Sequence, residues 1–230
     1  VFLITIPKSG TWLTVEILKA YKLRFSNLSF IYDKGYIDHT KRFNLSSDPS
    51  IIIKSREQAK LLKKIEPNYF AVGHYPYYLK GTIKDFKKVF VCRDLRDAFA
   101  SLIRMKKSWG NESTPVAKEL RKFLEKVDLI IDWVRYDSSI FILRFEDILY
   151  SSRNEKYVIK KYLGKFLGID SSKVNINDVF YRNIDKETLT YMGKKRSSYK
   201  DIWNDEFEDM FKECNGYEMN ETLGYMNKRR

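Results

Sequence analysis

The chain opens Val1-Phe2-Leu3-Ile4-Thr5-Ile6-Pro7-Lys8-Ser9-Gly10-Thr11-Trp12, and this stretch decides the fold. Residues 1–6 are apolar and β-branched, the pattern of a strand buried on both faces. Pro7 to Gly10 reads as a turn. Residues 11–23 then carry Leu13, Ile17, Leu18 and Tyr21 at helical spacing. In the turn, Gly10 lets backbone approach an oxyanion, Ser9 and Thr11 offer hydroxyl donors, and Lys8 supplies charge. It is not a Walker A loop, because the Gly-x4-Gly-Lys-Ser/Thr spacing is absent.

Working outward, the strand-then-helix order recurs. Residues 69–72 form a short strand running into Gly73-His74-Tyr75-Pro76. Residues 88–92 (KVFVC) form another buried strand, followed at once by Arg93-Asp94 and a helix over 97–106. A longer helix opens at Thr114-Pro115, with Val116, Leu120, Phe123, Val127, Ile130, Ile131 and Val134 on one face. Residues 140–145 read as a third strong strand. A helix over 156–167 ends at Gly168, and a terminal helix spans 204–214 with Gly224 as a late stop. Residues 24–50 read as a polar, aromatic excursion, 55–65 as a short basic helix, and 170–200 show little period. The alternation predicts an α/β fold in three layers, a central parallel sheet with helices on both faces, as one domain over 1–230. Ligands of such sheets sit beyond the carboxyl ends of the strands, where helix N-termini favour anions. Lys8 and Arg93 each follow a strand end, so the expected ligand carries phosphate.

Composition narrows the class. The 230 residues are 43% hydrophobic and 32% charged, which excludes collagen, low-complexity and disordered chains. Cys92 and Cys214 make no disulfide framework, and with two histidines they make a poor zinc site, so a reduced, intracellular enzyme-sized domain is expected. There are 43 Lys+Arg against 30 Asp+Glu, a net +13. That field suits nucleic acid, a nucleotide, an acidic polymer or a membrane surface, and equally suits solvation alone. No apolar run reaches the roughly 20 residues of a membrane span. Val1 lies directly inside a strand with no leader, the pattern of a trimmed N-terminus, and a cytoplasmic location is expected.

The run Thr5-Ile6-Pro7-Lys8-Ser9-Gly10-Thr11-Trp12 resembles the first-strand loop TYPKSGTTW of the sulfotransferases that use 3′-phosphoadenosine 5′-phosphosulfate (PAPS). The resemblance implies a P-loop-like fold. It assigns Lys8, Ser9, Gly10 and Thr11 to the 5′-phosphosulfate, with Lys8 on the bridging oxygen. In ungapped register Trp12 stands at the family's second threonine and Leu13 at its adenine-packing tryptophan. Either Trp12 covers the base or adenine packs differently.

Three further motifs follow in the family's order. Arg93-Asp94-Leu95-Arg96-Asp97-Ala98-Phe99-Ala100-Ser101 is similar to the 3′-phosphate motif and keeps the eight-residue spacing from Arg93 to Ser101. Arg144-Phe145-Glu146-Asp147 resembles the segment whose aromatic ring lies by adenine, with Phe145 lacking the hydroxyl. Arg196-Ser197-Ser198-Tyr199-Lys200-Asp201-Ile202-Trp203, then Phe207, resembles the late motif without its glycines, and gives Arg196, Ser197 and Ser198 to the 3′-phosphate. Leu223-Gly224-Tyr225 resembles the close of many bacterial members.

His74 is the candidate base. Val72-Gly73-His74-Tyr75-Pro76 keeps the H-x-P of the family's catalytic-histidine motif, although Val72 replaces a lysine there. Imidazole titrates near neutrality and can take a proton from an attacking hydroxyl. The resemblance therefore implies transfer of a sulfuryl group from PAPS to a hydroxyl or amine of a small-molecule or glycan acceptor. Adenosine 3′,5′-bisphosphate (PAP) leaves, and no metal is required. The animal dimer signature is not evident, and the oligomeric state stays open. Two other readings remain: a kinase with an altered P-loop, and a basic nucleic-acid-binding domain. No recognised nucleic-acid signature is present, so no such partner is expected. Acceptor contacts are expected from 24–68, 75–87 and 105–118.

Overall fold

Strand β1 (Phe2–Thr5) is buried along its whole length because it lies at the centre of a parallel sheet. On one side it pairs with β5 (Tyr69–Gly73) and on the other with β6 (Lys88–Cys92). β2 (Arg24–Phe25) extends the sheet beyond β5, and β7 (Phe141–Arg144) beyond β6, giving the order β2-β5-β1-β6-β7 with every pairing parallel. A separate two-residue antiparallel ladder joins β3 (Tyr32–Asp33) to β4 (Tyr36–Ile37). The computed structural model describes residues 1–25, 32–33, 36–37, 67–110, 115–150, 152–175 and 199–225.

Alternation along the strands builds two cores. Phe2, Ile4, Ile6, Phe90 and Cys92 face one layer of helices, while Leu3, Phe70, Val72, Val89 and Val91 face the other. The first layer is α3 (Leu95–Ser108), α4 (Val116–Tyr136), α7 (Asp205–Glu213) and α8 (Gly216–Thr222). The second is formed by α1 (Thr11–Ala20) and α6 (Arg153–Leu167), with α5 (Phe145–Tyr150) beside them. A short α2 (Lys80–Ile83) follows a 3-10 turn at Tyr77–Leu79. The expected three-layer α/β architecture is thus the observed one, with both faces of the sheet covered.

Boundaries differ from the pattern at identifiable caps. α1 stops at Ala20, not 23, because Lys22 turns left-handed with φ 61°. α3 begins at Leu95, two residues early, because the Asp94 carboxylate accepts the Arg96 N–H and caps the helix. α6 begins at Arg153, because Ser152 and Glu155 form a reciprocal capping box. Gly168 ends α6 at φ 73°, as expected. The terminal helix is two: Asn215 turns left-handed (φ 55°) and breaks it into α7 and α8. No described helix is long and apolar enough to cross a membrane.

Candidate functional site

The carboxyl ends of β1, β5, β6 and β7 lie side by side, and each delivers a candidate residue. β1 runs into the loop of Lys8 and Gly10, β5 into His74, β6 into Arg93, and β7 into Phe145.

Ser9 builds the first loop. It is fully buried, and its hydroxyl lies 2.7 Å from the Ile6 carbonyl and 3.0 Å from the Val91 carbonyl. A hydroxyl that donates to those strand-end carbonyls is turned away from the crevice, so Ser9 closes the loop onto β6. Lys8 takes φ 65°, a left-handed conformation uncommon in residues with a Cβ and concentrated at ligand sites. Gly10, at φ 92°, is the N-cap of α1. A Cβ there would stand 2.4 Å from Cδ2 of Phe145, so glycine is required for the loop to pass the ring. No side chain caps α1 and no acidic residue stands in its first turn, which leaves its N-terminal N–H groups to an anion.

Phe145 joins two of the predicted motifs. One side of its ring meets Gly10, and the Arg93 guanidinium carbon lies 4.5 Å from the ring centroid. Arg93 is 9% exposed. Its Nε is 4.0 Å from Glu146 Oε1 and makes no hydrogen bond among the described residues. Tyr225 donates its hydroxyl to the other Glu146 oxygen. Burial raises the Glu146 pKa, opposed by the Tyr225 bond and by Arg93. Asn220 ties α8 to the start of α3: its Oδ1 accepts the Leu95 N–H at 2.9 Å and its Nδ2 lies 3.3 Å from Asp94 Oδ1. Arg144 Nε donates to the Leu223 carbonyl at 3.0 Å. The Leu223-Gly224-Tyr225 run therefore braces the end of β7, and Asn220 the segment that follows β6.

Lys8 and Arg93 share their neighbourhood with a residue the sequence reading did not single out, Arg104 of α3. Burial, then Arg93, then Arg104 lower the Lys8 pKa to about 8, and the Lys8 ammonium lies 3.5 Å from Met105 Sδ. Burial and then Arg93 also lower the pKa of Arg104. The available signal was spacing: Arg104 follows Ser101 by three residues, on the same helix face. Ser101 itself is half-buried on α3. Three cations share this corner, and Arg93 Nε and Arg104 Nη2 are buried without a hydrogen bond among the described residues, an arrangement that fits a polyanionic ligand.

His74 is held from β1. Its Nδ1 is 2.6 Å from the Thr5 carbonyl oxygen and 3.0 Å from Thr5 Oγ1, which in turn receives the Thr11 hydroxyl at 3.1 Å. A carbonyl only accepts, so in the neutral ring Nδ1 carries the proton and Nε2 the basic lone pair. The next carbonyl, of Tyr75, accepts the indole N–H of buried Trp133 at 2.9 Å and fixes the turn. Trp12 is 43% exposed and packs edge-on to Phe25, 6.4 Å between centroids, while Leu13, the next residue of α1, is half-buried against the core of the second layer. Arg196, Ser197 and Ser198 lie outside the described residues. So does most of the expected acceptor region 24–68.

Comparison with known proteins shows the family. The sulfotransferase domain family matches residues 1–218, and the chain belongs to that family. It is similar to the amine sulfotransferase of Oryctolagus cuniculus, 25% identical over 198 residues, which cover 80% of this chain and 62% of the relative. Among solved structures it resembles a mouse sulfotransferase, SULT7A1, complexed with PAP (TM-score 0.63, 18% identity, covering 96% of this chain and 87% of that one). It also resembles a retinol dehydratase in complex with androsterone and the inactive cofactor PAP (TM-score 0.53, 19% identity, 100% and 82% covered). At these identities the structural likenesses concern the fold.

Proposed function

We propose that this chain transfers the sulfuryl group of PAPS to a hydroxyl or amine acceptor, as a single domain, with His74 as general base. The observation that carries the reading is the His74 Nδ1 contact with the Thr5 carbonyl at 2.6 Å. It holds a base of defined tautomer at the strand end that leads, three residues on, to Lys8. The donor supplies the sulfuryl group and, in PAP, the leaving group. The chain supplies positioning and charge. Lys8 and the uncapped N–H groups of α1 hold the 5′ end. Arg93 and Ser101 hold the 3′-phosphate, and Phe145 gives the base an apolar edge. Arg196, Ser197 and Ser198 are assigned to the same phosphate by the resemblance of their run to the family's late motif. Nε2 of His74 takes the proton from the acceptor as its oxygen or nitrogen attacks sulfur. Amine sulfotransfer by the rabbit relative and the androsterone of the retinol dehydratase complex support a small-molecule acceptor.

Thermal shift with PAP, ATP–Mg²⁺ and an oligonucleotide tests the donor. A ligand at 100 times its Kd adds about 2.7 kcal/mol of stability. PAP is expected to stabilise the protein. Stabilisation by ATP–Mg²⁺ or the oligonucleotide without PAP would return the kinase or nucleic-acid reading. Transfer from radiolabelled PAPS across phenols, alcohols, amines and sugars then identifies the acceptor.

A further inference from the structure

Helix α3 carries Asp97, Ser101 and Arg104 at i, i+4 and i+7, on one face. Asp97 at one end of that face accepts the Tyr199 N–H. Arg104 at the other end has Nη1 4.0 Å from Asp201 Oδ2, too long for a hydrogen bond. Its side chain is 22% exposed, while Asp201 is 65% exposed, so the arginine is the more enclosed partner of a loose pair. Nη2 of Arg104 is buried and makes no hydrogen bond among the described residues. Arg93 Nε shares that condition, and the two guanidinium groups repel each other. Two enclosed guanidinium groups with spare donors, flanking a half-buried serine, suit one dianionic, multi-oxygen group.

We propose that Arg104 binds the 3′-phosphate of the donor, as a second arginine opposite Arg93 with Ser101 between them. This rests on the PAPS reading and adds a residue to it. Lys8 lies by Met105, the next residue along the helix, so the helix turn that carries Arg104 also borders the 5′ end. A phosphate monoester carries about −1.5 to −2 charge at neutral pH. Among the described residues Arg93 alone does not balance that charge, and Arg104 supplies a second positive charge.

The test compares PAP with adenosine 5′-phosphate, which lacks only the 3′-phosphate, by calorimetry on wild type, R104Q, R104K and D201N. Wild type is expected to bind PAP more tightly. R104Q is expected to weaken PAP by about tenfold to a hundredfold, the value of a hydrogen bond to a charged group, and to leave adenosine 5′-phosphate within twofold. R104K should recover part of the loss, which also covers a poorly folded R104Q. D201N should leave the PAP-to-monophosphate ratio unchanged. Equal weakening of both nucleotides by R104Q, or a D201N ratio that falls as far as R104Q's, would make Arg104 a structural partner of Asp201 and overturn the proposal. Unchanged PAP binding in R104Q would overturn it too. If wild type itself shows no preference for PAP, the PAPS reading fails, a result distinct from failure at Arg104.

Discussion

Lys8 offers a quantitative check on the donor site, because its pKa in the free protein is brought down to about 8 by burial and by the nearby arginines. A bound dianion restores the lysine toward its ordinary value of about 10.4. Between pH 7 and pH 9 the free site passes from mostly charged to mostly neutral, while the occupied site stays charged. PAP affinity must therefore fall as pH rises. The worked change is about tenfold in Kd from pH 7 to pH 9, or about 1.4 kcal/mol for that tenfold step. Binding at pH 9 should take up close to one proton, on the order of 0.9. The phosphates contribute little, since their second ionisation lies near pH 6 and is about nine-tenths complete at pH 7. Calorimetric titration in two buffers of different ionisation enthalpy gives both Kd and proton uptake. Lys8→Arg, charged throughout this range, should give a flat profile. The unliganded fold should show the opposite trend. A lysine whose pKa is lowered on folding costs stability in full below about 8, and that cost fades as pH rises toward 10.5. A wild-type Kd that is level from pH 7 to pH 9, or an equal fall in Lys8→Arg, would refute the reasoning.

Three further outcomes are expected. His74→Ala should cut kcat roughly 10²–10⁴-fold with an aliphatic alcohol, much less with an acidic phenol already ionised, and leave the PAP Kd unchanged. Ser9→Ala should lower the melting temperature, by about 1 kcal/mol of lost hydrogen bonding, yet keep the PAP Kd within twofold; a large loss of affinity would give the hydroxyl back to the ligand. Gly10→Ala sets a Cβ against Phe145 at φ 92° and should cost about 1–3 kcal/mol of stability, read by chemical denaturation, together with weaker PAP binding.

The architecture was legible because three strands are written as unbroken apolar runs. Residues 1–6, 88–92 and 140–145 each meet helices on both faces, and that pattern has few other solutions. What escaped was set by single polar contacts. The split at Asn215 depends on one left-handed residue, and the α3 cap on one carboxylate. In the site, Lys8, Gly10, His74, Arg93 and Phe145 gather at neighbouring strand ends, as the motif order implied. Ser9 differs because its burial follows from the proximity of β6, which a loop sequence does not record. Arg104 was invisible for a related reason. A helix arginine three residues past a serine is ordinary until the strand-end cations are known to face it.

The braces at Asn220, Leu223 and Tyr225 carry a consequence for how the molecule comes into being. They join positions 125, 79 and 79 residues apart along the chain. Domains emerge from the ribosome N-terminal part first, at about 5–20 residues per second. Residues 1–110 hold the loop, the histidine and the first arginine, yet Asp94, Glu146 and Arg144 await side chains and carbonyls made last. A nascent chain can carry every strand-end cation and still lack the scaffold that fixes them. Nucleotide can thus act as a folding partner only once translation has passed residue 225, and any shortening that removes 216–225 leaves its damage at the far end of the sequence, in the grip of Arg93.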